Sequence, residues 1–188
     1  MKIFSYLVLL CGVFFSLSAD VVDEATGQSF PDQVSFSYNG TSYDLDATGV
    51  STRKKLMFKV YSVASYLQPG NGSGDKFERI MDSATAKQLT MKWVRDVNAA
   101  KVQSGFRDSL KKNGAPKSET DTFVNLFTAD ASDGDEYVLR WIPGGTIEVF
   151  INGTKAGSID NEEFARSLWL VWFGNKSVVK RDQLVSLL

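Results

Sequence analysis

The residues able to do chemistry in this chain are of few types. It contains no histidine, and its one cysteine, Cys11, sits inside an apolar N-terminal run. A serine or cysteine nucleophile therefore has no imidazole base, and a zinc site has neither nitrogen nor sulfur ligands to draw on in the rest of the chain. The acidic cluster Asp130, Asp133, Asp135 and Glu136 lacks the spacing of a calcium loop and reads as a solvated turn. No phosphate-binding glycine loop is present. The sequence thus implies no metal and no cofactor, and leaves any chemistry to Arg, Lys, Tyr, Asp, Glu, Ser and Thr. The densest concentration of such groups is the basic run Arg53-Lys54-Lys55, with Lys59 and Tyr61 just beyond it. Taken alone, such a run reads as a solvated loop.

These groups sit in a chain of 188 residues with 21 Lys and Arg against 22 Asp and Glu, 43% hydrophobic. The length fits one domain with a sizeable core, and the balanced charge gives no reason to expect a nucleic-acid partner. Residues 1–19 read as a signal peptide: Lys2, then the apolar run Ile3 to Phe15, then the small-residue exit Ser16-Leu17-Ser18-Ala19. The run is too short to span a bilayer. The expected mature domain is 20–188, periplasmic or secreted, with no membrane span after cleavage and no cysteine. Without Lys2 it carries 20 basic against 22 acidic residues, a net charge of −2.

The elements that must position the basic run follow from periodicity. Val34, Phe36 and Tyr38 alternate with serines, Asn39-Gly40 supplies a hairpin turn, and Tyr43 and Leu45 continue the partner strand. Thr48 to Arg53 reads as a loop, and Lys55 to Leu67 as one long strand, apolar on both faces and so covered on both. A short helix is expected over Lys76 to Asp82 and a strand through Leu89, Met91 and Trp93. Asn98 caps a helix bearing Val102, Phe106 and Leu110, and Ser118 with Asp121 approximates a capping box for the next. Strands over Tyr137–Ile142, Thr146–Asn152 and Thr154–Ile159 form a meander. Asp160 with Glu163 caps a helix carrying Phe164, Leu168, Val171 and Trp172, and a last helix covers Lys180 to Leu187. The aromatic stripe of Trp169, Trp172 and Phe173 is what a packed helix requires. The order implies an α+β domain, an antiparallel sheet with helices packed against it.

The segment from Gly49 to Leu67, with a glycine, then Arg53, an apolar run, Lys59-Val60-Tyr61, two small residues and Tyr66-Leu67, resembles the signature strand of the bacterial chalcone isomerase-like family. Arg95-Asp96-Val97, the strands around Asn152-Gly153 and the Phe164 to Gly174 helix fall where that family has counterparts. The resemblance implies an open-faced sandwich, a large antiparallel sheet with helices on one side and an apolar cleft between the layers. It also implies that Arg53 matches the arginine that steadies a phenolate in the plant isomerases, a role that needs a cation that stays protonated. Tyr61 falls where the related plant fatty-acid-binding proteins place a tyrosine beside that arginine to hold a carboxylate. The isomerases' catalytic tyrosine and asparagine fall on Asn98 and Gly105. The expectation is a non-catalytic protein that binds a fatty acid or similar amphipathic carboxylate through Arg53 and Tyr61. The alternative is an intramolecular lyase acting on a chalcone-like enone, with Tyr61 and Lys59 moving protons. In one extended strand the eight residues from Arg53 to Tyr61 span about 26 Å at roughly 3.3 Å each. On that reading the two meet only if the loop folds back.

Overall fold

The computed structural model describes residues 20–70 and 74–188, and the signal peptide expected over residues 1–19 lies outside them. Seven strands form one antiparallel sheet in sequential order: β3 (Gln33–Tyr38), β4 (Thr41–Lys55), β5 (Phe58–Leu67), β6 (Lys87–Trp93), β7 (Glu136–Ile142), β8 (Thr146–Ile151) and β9 (Thr154–Asp160). A separate hairpin, β1 (Val21–Asp23) with β2 (Gln28–Phe30), precedes them and was not expected from periodicity. The helices are α1 (Lys76–Met81), α2 (Ala99–Lys112), α3 (Lys117–Val124), α4 (Glu162–Phe173) and α5 (Arg181–Leu184). The fold is α+β, as expected, with one main sheet and a layer of helices.

The sheet has two apolar faces. On one, Val63, Leu89, Met91, Leu139 and Val149 meet side chains from every helix, including Phe106, Phe123, Leu168 and Trp172. On the other, Ala64 and Tyr66 pack with Phe30, Phe36, Leu45 and Ile142. The inner half of β5 is therefore covered on both sides, as its sequence requires.

Three local expectations are corrected. Thr48 to Arg53 is not a loop and Lys55 to Leu67 is not one strand: β4 runs on to Lys55, the chain reverses at Leu56-Met57, and β5 returns. The Asn161 side chain, not Asp160, caps α4 by accepting the Phe164 N–H at 2.9 Å, because Asp160 is the last residue of β9 and takes the Thr146 hydroxyl. Helix α3 starts after Pro116 with no side-chain cap, and Asp121 pairs instead with Arg107 and Lys117.

The C-terminal segment is clamped to β4. The Thr48 hydroxyl donates to the Leu184 carbonyl at 2.7 Å, the Leu187 N–H donates to the Thr48 carbonyl at 2.9 Å, and Ser51 donates to the Gln183 side chain at 2.9 Å. Gly49, at φ +150°, makes this approach possible, since a Cβ there would collide with the Gln183 carbonyl. Gly49→Ala should destabilise the fold by about 2 kcal/mol or more, read by urea denaturation. A neutral effect would mean that α5 is not pressed on β4.

Lys87 is fully buried, its ammonium 4.2 Å from the centre of the Trp141 ring and donating to the carbonyls of Ile80 and Asp82. Burial lowers its pKa to about 7. Above that value the folded chain has released a proton that the unfolded chain still holds, so this group makes stability rise with pH. Relative to Lys87→Met, the wild type should gain up to about 1.4 kcal/mol per pH unit between about pH 7 and 9. A flat difference across that range would rule out a depressed lysine.

Candidate functional site

Arg53 on β4 and Tyr61 on β5 are direct cross-strand partners. The two-residue reversal at Leu56-Met57 brings them together, with an irregularity between Arg53 and Lys54 absorbing the odd residue. The separation expected of a single strand does not arise, and no loop has to fold back.

Both residues line a cleft of about 730 Å³ between the open end of the sheet and the helices. Val60, Tyr61 and Trp93 form its sheet wall, while Val102 and Phe106 of α2 and Val171 of α4 form the helix wall. Four cations reach it, but Lys55, Arg95 and Lys101 are exposed, whereas Arg53 is half-buried. One guanidinium nitrogen of Arg53 donates to the Val178 carbonyl at 2.8 Å. That carbonyl is held in place because the Val178 N–H bonds back to α4 at the Val171 carbonyl. Arg53 has no carboxylate partner among the described residues. A half-buried cation in that condition favours an anion that comes from outside the chain.

Tyr61 is buried, and its hydroxyl accepts the indole N–H of Trp172 at 3.2 Å. Nothing in the local sequence signals this bond, since Trp172 reads as one more core aromatic on α4. The phenol's own proton has no acceptor among the described residues. Desolvation pushes its pKa up to about 12, against the pull of the Arg53 charge and the Trp172 N–H. Tyr61 is therefore a neutral hydrogen-bond donor at physiological pH, and neither a base nor a phenolate. Trp93 stacks edge-on against Tyr61, with ring centres 5.4 Å apart, and its buried indole N–H also lacks a partner among the described residues.

The other positions singled out from sequence divide. Asn98 and Gly105 do line the cleft, but the Asn98 carboxamide oxygen is taken by the Lys101 N–H at 2.9 Å as the cap of α2. Gly105 offers no side chain, and nothing stands within 4 Å of where its Cβ would be. Lys59 points away from the cleft to the Ala25 carbonyl of the β1–β2 turn, so it cannot share proton transfer with Tyr61 there. Behind the pair, the buried Asp23 carboxylate accepts from Thr52 at 2.6 Å and Ser62 at 2.7 Å, which braces β4 and β5 from the opposite face. The acidic cluster stitches loops: Asp130 accepts the Ala99 N–H, and Asp135 accepts from the Ser132 N–H and the Asn152 amide.

The chalcone isomerase-like family matches residues 22–184. Among solved structures, an Arabidopsis thaliana fatty-acid binding protein superimposes with a TM-score of 0.74 at 21% identity, covering 89% of this chain and 96% of its own. At that identity the likeness shows the fold, a curled antiparallel sheet with helices. No curated protein matches the sequence.

The phenol is open to direct test. Difference absorbance between the wild type and Tyr61→Phe should show no tyrosinate signal from this residue below about pH 11. The substitution should also cost about 1 kcal/mol, because it leaves the Trp172 N–H buried without an acceptor. Titration of Tyr61 near the ordinary tyrosine value would mean an open, wet site.

Proposed function

This chain belongs to the chalcone isomerase-like family, and from that premise we propose that it is a secreted, non-catalytic binder of a fatty acid or similar amphipathic carboxylate, held in the cleft between sheet and helices. The observation that carries this reading is the half-buried Arg53 cation, without a carboxylate partner among the described residues, set across from the Tyr61 hydroxyl in a largely apolar cleft. A carboxylate would take charge-assisted bonds from Arg53 and a hydrogen bond donated by the Tyr61 hydroxyl, and the acyl chain would lie against Val102, Phe106 and Val171. Each buried methylene would contribute about 0.8 kcal/mol. The bare stretch of α2 at Gly105 leaves room for that chain. The likeness in fold to a plant protein named for fatty-acid binding supports the ligand class.

Ring closure of an enone is the weaker reading. The two positions that would carry the isomerases' tyrosine and asparagine hold a capping Asn98 and a glycine, and the Tyr61 phenol is pushed away from proton release. Secretion rests on the character of residues 1–19.

The test is a titration of the delipidated chain from Asp20 onward with a long-chain fatty acid and with the alcohol of equal length. Arg53→Leu should weaken the acid by about tenfold to a hundredfold and leave the alcohol nearly unchanged, the range expected for one charge-assisted bond. Gly105→Trp should block both by filling the cleft. Absence of saturable binding, or acid binding indifferent to Arg53→Leu, would overturn the reading.

A further inference from the structure

The turn that joins β4 to β5 is chemically unlike the other tight turns of the sheet. Three of its hairpins close with two residues, and two of them use Asn-Gly, at Asn39-Gly40 and Asn152-Gly153, with φ positive at both positions. That is the chemistry such turns favour. The third uses Leu56-Met57, and Leu56 sits at φ +56°, a region that a bulky side chain occupies only at a cost. The cost is not offset by burial. Leu56 is 91% exposed, Met57 86% and Phe58 54%, which makes this tip the largest run of exposed apolar side chains among the described residues.

Charge surrounds the tip in the same unexplained way. Four of the seven residues from Arg53 to Lys59 are basic and none is acidic, in a chain that is slightly acidic overall. Lys54 and Lys59 are cross-strand partners, and like charges placed opposite each other repel. Arg95 adds a guanidinium 4.8 Å from the centre of the Phe58 ring. The rim's acids, Asp96 and Asp130, are tied to the backbone N–H groups of Asp133 and Ala99. An apolar point ringed by cations matches the interface of an anionic bilayer, where side chains such as these enter the acyl boundary while lysines meet phosphates. No helix among the described residues is long and apolar enough to cross a membrane.

We propose that the β4–β5 tip docks on an anionic lipid bilayer. Leu56 and Phe58 belong both to the tip and to the lining of the cleft, so docking sets the cleft mouth at the membrane surface. The docking rests on the tip alone. Its use, exchange of an acyl ligand between bilayer and cleft without passage through water, rests on the fatty-acid reading above.

Flotation of the chain from Asp20 onward, which holds every described element, with phosphatidylcholine vesicles with or without phosphatidylglycerol tests this. The wild type should float with the anionic vesicles only, and less as salt rises. Lys54→Glu should weaken binding about fivefold or more, and Met57→Asp about tenfold or more. Neither side chain lines the cleft, so fatty-acid affinity measured without vesicles should stay at the wild-type value, which separates failure of docking from failure of the ligand reading. Folding is controlled by the double variant Leu56→Asn with Met57→Gly. It gives this hairpin the turn chemistry of the other two, and should raise the melting temperature while abolishing flotation. Failure of the anionic vesicles to capture the wild type would overturn the proposal and leave a protein surface as the tip's partner. Capture unaffected by Lys54→Glu and Met57→Asp would overturn it too.

Discussion

The register between β4 and β5 is the constraint on which the cleft depends. Because the chain reverses over two residues, Arg53 and Tyr61 stand side by side on neighbouring strands. A slip of one residue would turn one of them to the opposite face, since side chains alternate along a strand. Three contacts hold that register from different directions. Asp23 gathers hydroxyls of Thr52 and Ser62 on the outer face, the C-terminal segment locks Thr48 and Ser51, and the Trp172 indole reaches the Tyr61 hydroxyl from α4.

Around that pair the molecule withholds what a half-buried cation would usually be given. Arg53 receives one backbone carbonyl and no carboxylate among the described residues, although acids are as numerous as bases in the chain. Tyr61 and Trp93 likewise keep donor groups without acceptors among those residues, in a cleft whose helix wall is built from Val102, Phe106 and Val171. Leaving several donors unmet in one apolar place costs stability. A ligand with an acceptor head and an apolar tail would meet both conditions at once. The desolvation that suits an acyl chain also drives the Tyr61 phenol away from ionisation.

Cleft and hairpin tip also share their residues. Leu56 and Phe58 are rim and tip together, so any surface that holds the tip faces the opening. A turn that accepts backbone strain to display leucine and methionine to solvent departs from the local rules the other hairpins obey, and such departures collect at functional places.

Much of this was legible in the sequence because it rests on local spacing. The two Asn-Gly hairpins, the α2 helix with Asn98 as its cap and Val102, Phe106 and Leu110 inward, and the doubly covered β5 all follow from periods of two and 3.6. The loss of histidine and cysteine chemistry from residues 20–188 is a property of composition. The reversal at Leu56-Met57 was not legible, because it carries neither glycine nor asparagine nor proline and both flanking stretches read as strand. The β1–β2 hairpin is too short for its pattern to stand out, and Asn161 and Asp160 are equally good caps until the end of β9 decides between them. The sequence by itself determined which side chains could bind an anion. Only the tertiary structure decided that Arg53 meets Tyr61 across a hairpin and that Trp172, 111 residues away, fixes the phenol, because contacts between distant segments are set by packing and leave no periodic trace in the chain.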